Sequence, residues 1–138
     1  MIAAVEEEKP DHVFFLGDNQ RDGVELARLY PAIPMEVLRG NCDFGPGPDE
    51  RVVELEGARF LLVHGHLQGA KSGLSGLIAA GRRAGADMVC FGHTHHALNQ
   101  WSGEKPWLFN PGTAGGVRAR AGYGIVQVEG GRLNAWLR

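Results

Sequence analysis

The chain has 138 residues, with 14 Lys or Arg against 16 Asp or Glu (net charge −2) and 43% hydrophobic residues. That length suits one domain, 1–138, and the apolar content suits a packed core rather than a disordered segment. The weak, scattered charge advertises no nucleic-acid or acidic-membrane partner, and apolar runs of four or five residues fall far short of the roughly 20 that span a bilayer.

The first ten residues carry Glu6, Glu7 and Glu8, with neither a basic start nor a long apolar stretch, so they do not read as a signal peptide. Val13–Leu16 is the first short run rich in Val, Phe and Leu, the pattern of a buried strand. Asp22 followed by Glu25 reads as a capping box opening a helix. Val24, Leu26, Leu29 and Tyr30 give it an apolar face, and Pro31 stops it. Glu36–Leu38 is a second strand, and Phe44–Asp49, rich in Gly and Pro, is a loop. Val52–Leu55 and Arg59–Val63 flank Glu56-Gly57 as a hairpin. A helix over Leu74–Arg83 follows, with Leu74, Leu77, Ile78 and Gly81 at helical spacing, and then a strand over Met88–Phe91. Two more hairpins are predicted, Ala97–Trp101 with Trp107–Phe109, and Tyr123–Val128 with Arg132–Leu137. Alternating strands and helices with several hairpins predict an α/β fold, a mixed β-sandwich flanked by helices. Cys42 and Cys90 form no CxxC spacing, which fits a reduced, cytoplasmic protein.

The polar residues that follow these strands carry the chemistry. Asp18, Asn41, His64, His93 and His95 each lie just past a predicted strand end, where open α/β sheets bind ligands. Each alone is ordinary, since Gly-Asp and Gly-Asn mark turns and a single buried histidine is commonly a hydrogen-bonded core residue. Together they offer oxygen and nitrogen donors suited to Mn²⁺, Fe, Zn²⁺ or Ni²⁺. His93 and His95, two apart after a strand, are expected to project on one side of an extended backbone.

In order, Gly17-Asp18, Gly40-Asn41-Cys42-Asp43, His64-Gly65-His66 and Gly92-His93-Thr94-His95 resemble the motifs of calcineurin-like metallophosphoesterases. Cys42 in Gly-Asn-Cys-Asp and the late Asn110-Pro111-Gly112-Thr113 are similar to the small YfcE-like phosphodiesterase subgroup. The resemblance implies metal-dependent hydrolysis of a small phosphoester, with phosphodiesters the expected class, at two divalent transition metal ions, Mn first among them. Asp18 would bridge the ions, Asn41, His64 and His93 would hold one, and His95 the other. Asp18, Asn41 and His93 would thus serve catalysis. Two ions about 3.5–4 Å apart acidify a water that attacks phosphorus in line.

Cys42 stands where many relatives carry a proton-donating histidine. It reads as a small buried residue rather than a nucleophile, and with Asp43 and His66 it is expected to support the ligands. Arg39 is a candidate phosphate contact, His96 a candidate supporting group, and His12 and Arg118 read as surface residues. Cys90 and the three tryptophans read as packing. The family opens with a strand ending in Asp-x-His, and no such segment precedes Gly17-Asp18. Residues 1–9 resemble the tail of the fold's first helix. The resemblance therefore implies an N-terminally truncated domain, with one ion weakly held, low activity and a strand edge that favours a homo-oligomer. The rival expectation is a non-catalytic scaffold, since a retromer subunit shares this fold.

Overall fold

In the computed structural model, which describes residues 1–115 and 120–138, a five-stranded mixed sheet forms the centre. The elements, in chain order, are α1 (Ile2–Glu8), β1 (Val13–Phe15), α2 (Gln20–Leu29), β2 (Met35–Val37), β3 (Glu50–Leu55), β4 (Ala58–Val63), α3 (Ser75–Ala84), β5 (Met88–Cys90), β6 (Leu98–Gln100), β7 (Trp107–Asn110), β8 (Gly124–Glu129) and β9 (Arg132–Leu137). A 3-10 turn covers Ala70–Ser72. The central sheet runs β3-β4-β5-β7-β6, with β4, β5 and β7 parallel and the outer strands antiparallel. β1 pairs with β2 in parallel, and β8 with β9 as a hairpin.

The two-residue side-chain period of β4 explains the layers. Leu61 and Val63 face one way and pack with Leu77 and Ala80 of α3, Val89, Phe91 and Leu108. Phe60 and Leu62 face the other way and pack with Met88, Cys90, Phe109, Leu38 and Ala135, against side chains of β1, β8 and β9. The mixed β-sandwich flanked by helices is therefore the observed architecture. All three hairpins form, and β1, β2, β4 and β5 occupy the predicted apolar runs. Gly81 lets α3 settle on the sheet, since a Cβ there would stand 2.6 Å from Val89 and 2.7 Å from Pro106. Among the described residues no helix is long and apolar enough to cross a membrane.

Some expectations need correction. Asp22 does not cap α2, which begins two residues earlier with Asn19 as its N-cap residue in a left-handed conformation (φ 56°). No side chain of the cap residue closes it; the Asp43 carboxylate instead accepts the Gln20 N–H at 2.9 Å. The buried face of α2 is Gly23 and Leu26, whereas Val24 and Leu29 are about half exposed. The helix rests on the narrow β1–β2 pair, where a Cβ on Gly23 would meet Phe15 and Val37 at under 3 Å, so its flanks stay uncovered. His12 is not a plain surface residue. Its ring is mostly buried edge-on to Phe14, with Nε2 3.7 Å from Glu36 and without a hydrogen-bond partner among the described residues. Trp101 is half exposed and stacks at 5.5 Å on Trp107. Cys90 is core, its thiol pushed up to about 12 by burial.

Candidate metal centre

β1, β2, β4 and β5 end at one edge, and the turns after them bring Asp18, Asn41, His64 and His93 together. Glycine makes this close approach possible. A Cβ on Gly40 would stand 2.3 Å from Asp18 Oδ1, and one on Gly17 would stand 2.7 Å from His64 Nδ1. Asp18, His93 and His95 themselves take positive φ of 58°, 64° and 60°. Such backbone is uncommon outside glycine and concentrates at functional sites.

His64 is almost fully buried at the end of β4. Its Nδ1 lies 2.8 Å from the Leu16 carbonyl, which can only accept, so Nδ1 carries a hydrogen, and in the neutral ring Nε2 is left with the lone pair. Nε2 faces Asn41 Oδ1 at 2.9 Å and Asp18 Oδ2 at 3.5 Å. His93 Nδ1 reaches the same Asn41 Oδ1 at 3.0 Å. His95 Nε2 lies 3.8 Å from Asp18 Oδ2 and is more than half exposed. Among the described residues no three His, Cys, Asp or Glu side chains form a ready-made cluster, and the set closes only through the Asn41 amide. An imidazole lone pair, an amide oxygen and a carboxylate turned toward one another make a donor set that fits a divalent transition cation.

The expected pairing of His93 and His95 along an extended strand is not found. Thr94 N–H donates to Gly92 O at 2.7 Å, so the segment is a tight turn, and both histidines reach the centre from left-handed backbone. Asn110 holds that turn. It is fully buried at the end of β7, and its Nδ2 donates to Gly92 O and Thr94 Oγ1, each at 3.1 Å. Asn110 opens the late Asn-Pro-Gly-Thr motif, a role in the site that the motif alone does not show; its position after an apolar run is the signal shared with the other strand-end residues.

The supporting residues divide. Asp43 accepts from Gly40 N–H at 2.8 Å and from Gln20 N–H, fixing the turn that carries Asn41. His66 lies 5.3 Å from the His64 ring and 6.0 Å from the His93 ring, with a buried Nδ1 that has no partner among the described residues. Cys42 is exposed, not buried as expected, since it sits on the open turn after β2, where its N–H donates to Asp18 Oδ1 at 3.2 Å. The Asp18 carboxylate, with some burial and Asp43, raises the thiol pKa, which disfavours a nucleophilic thiolate. Burial first, then Lys71, lowers the His93 pKa and keeps its ring a neutral donor. Arg39 is turned onto Asp49, with Nε and Nη2 at 2.9–3.1 Å from its carboxylate, and so braces the 44–49 loop rather than facing the donors. His96 is exposed, and among the described residues its hydrogen bonds are backbone ones to Thr94 Oγ1. Arg118 lies outside the described residues.

A mixed α/β sandwich with polar donors gathered at its strand ends is the class of fold found in phosphoesterases. The model of the calcineurin-like phosphoesterase superfamily domain matches residues 1–131, and the chain belongs to that family. It is 35% identical over 132 residues to the probable metallophosphoesterase YsnB of Bacillus subtilis, covering 93% of this chain and 75% of that protein. Its fold is similar to that of a predicted phosphoesterase from Streptococcus pneumoniae (TM-score 0.74, 24% identity, 99% of this chain and 88% of that one). It is also similar to that of Vps29 from Entamoeba histolytica crystallised with zinc (TM-score 0.78, 16% identity, 99% and 86%).

Proposed function

We propose that the protein hydrolyses small phosphoric esters, with phosphodiesters preferred, using two divalent transition metal ions, Mn²⁺ the first candidate. The observation that carries this reading is the meeting of His64 Nε2 and His93 Nδ1 on one Asn41 oxygen beside Asp18. Asn41, His64, His93 and Asp18 would hold one ion, and Asp18 with His95 the other. Bound there, such ions supply Lewis-acid charge and an acidified water for attack on phosphorus.

The chain's own residues do the positioning. The Leu16 carbonyl fixes the His64 tautomer, Asn110 fixes the turn of His93, and Asp43 fixes the turn of Asn41. Cys42, with its raised pKa, is a poor proton donor to a leaving group. That favours esters whose leaving group departs without help. Phe44, 96% exposed three residues beyond Asn41, offers an aromatic surface to such a group.

The test is purification in Mn²⁺, metal analysis and turnover of bis(p-nitrophenyl) phosphate. Bound metal with turnover, both lost in Asn41→Ala, supports the reading. Bound metal with no turnover of any phosphoester favours the scaffold alternative, and no bound metal overturns the centre.

A further inference from the structure

Asn110 closes β7 and is fully buried. Both ends of its side-chain amide are spent, each on a different loop. Nδ2 donates to Gly92 O and to Thr94 Oγ1, on the turn that carries His93. Oδ1 accepts the Gly112 N–H at 2.9 Å, on the loop that leaves β7. A carbonyl only accepts and a backbone N–H only donates, so the amide cannot flip without breaking its bonds to both loops. Each loop is tied further. On the first, His96 N–H donates to Thr94 Oγ1 at 3.2 Å, and His93 Nδ1 lies 3.0 Å from Asn41 Oδ1. On the second, Thr113 Oγ1 donates to Gly115 O at 2.6 Å, and Gly122 N–H donates to Thr113 O at 2.8 Å, which binds residues 111–115 to the chain entering β8. Gly112 itself holds a φ of 89°, and a Cβ there would lie 3.5 Å from Ala97 Cβ, just ahead of β6.

A buried amide pulled away from one partner leaves a polar group unpaired and out of reach of water, which is costly. One amide serves both loops, so a displacement of either disturbs the other. We propose that Asn110 is a positioning residue that couples the His93 turn to the loop 111–115: a cation held at His93 orders that loop, and a disturbance of that loop weakens the cation site. Such coupling is reciprocal, and the same factor appears whichever side is perturbed. The inference rests on the metal-centre reading above, and it requires bound metal but no turnover.

The experiment is residue-resolved amide hydrogen exchange by mass spectrometry on the full chain, with and without saturating Mn²⁺, alongside Mn²⁺ affinity by calorimetry. In wild type, Mn²⁺ should slow exchange at the Gly112 N–H about tenfold more than at the Gly131 N–H, tenfold being the scale of one hydrogen bond. Gly131 is the control because its N–H donates to Glu56 O, far along the chain from every donor. Asn110→Asp keeps the acceptor for Gly112 but sets an oxygen against Gly92 O; it should weaken Mn²⁺ binding about tenfold and abolish the selective protection. Gly112→Ala, strained at its positive φ, should weaken Mn²⁺ binding by a similar factor without touching a donor. Gly115→Ala, with open space around it, should leave the affinity unchanged. Equal slowing at Gly112 and Gly131 in wild type would mean that metal only steadies the whole fold; it overturns the coupling and leaves the metal centre standing. Wild-type Mn²⁺ affinity in Gly112→Ala overturns the coupling as well. Bound metal with selective protection and no turnover of any phosphoester supports the coupling and overturns the hydrolase. If wild type binds no Mn²⁺, the coupling and the centre fall together.

Discussion

Asn41 joins two elements that share no sequence neighbourhood, since its one amide oxygen meets an imidazole from β4 and another from the turn after β5. Removing it separates the donors rather than deleting one of several. Asn41→Ala is expected to lose bound metal as completely as the double variant His64→Ala, His93→Ala, measured by elemental analysis after dialysis; metal content equal to wild type in either variant would refute the assignment. Cys42 differs in kind. It is exposed, its thiol pKa is raised, chiefly by Asp18, and its backbone N–H donates to the Asp18 carboxylate. Cys42→Ser should therefore keep most of the diesterase turnover and all of the metal. A well-folded, metal-loaded but inactive serine variant would show that sulfur takes part in the chemistry.

Among the elements, β4, β5 and β7 are tied together at their amino ends by Asp87, just ahead of β5. The Asp87 carboxylate accepts from Arg59 N–H at 2.8 Å and pairs with Lys105, while its carbonyl accepts from Trp107 N–H at 2.9 Å. Burial works to raise its pKa, but these partners hold it below the ordinary 3.8. The folded chain thus binds fewer protons at this group than the unfolded one, so its contribution is present above about pH 4 and is lost as the pH falls through the lowered folded value. Asp87→Ala should cost about 1.5–3 kcal/mol at neutral pH, the scale of a hydrogen bond to a charged group, and less in acid, as read by denaturant melts. The 44–49 loop is braced by Arg39 and by Gln20, whose Nε2 donates to Pro46 O at 2.8 Å, which leaves Phe44 presented to solvent. Phe44→Ser should lower kcat/KM for an aryl diester about fivefold, the size of one aromatic contact, with no change in melting temperature. Strands were legible because short Val, Phe and Leu runs end in glycine, and the donors were legible because each follows such a run. The start of α2 was not, because its cap is Asp43, 23 residues beyond Gln20. The His93–His95 turn was not, because Asn110 from another strand holds it. Side-chain direction was also hidden, which is why Cys42 was expected inside and Arg39 on a phosphate.

For the whole molecule, β1 pairs with β2 on one flank only among the described residues, which leaves a row of backbone donors and acceptors on its other flank. We propose that this flank supports self-association, because such edges pair readily with another chain. Sedimentation velocity should show a concentration-dependent dimer or larger species; a monomer at every concentration would refute it.

The parallel run of β4, β5 and β7 gives the molecule two ends with different tolerances. At the carboxyl ends, one residue more or less in β5 would move the His93 turn by roughly 3.3 Å, more than a donor set can absorb. At the amino ends lie the turns after β3 and β6, and the second is exposed from Trp101 to Lys105, with open space around Gly103, whose φ of 90° calls for the glycine to be kept. A fluorophore, epitope or affinity handle grafted at Glu104 would therefore ride on the chain without disturbing the chemistry, while the same graft beside Gly92 would abolish it. For anyone immobilising or labelling this protein, the sheet itself says which side to hold.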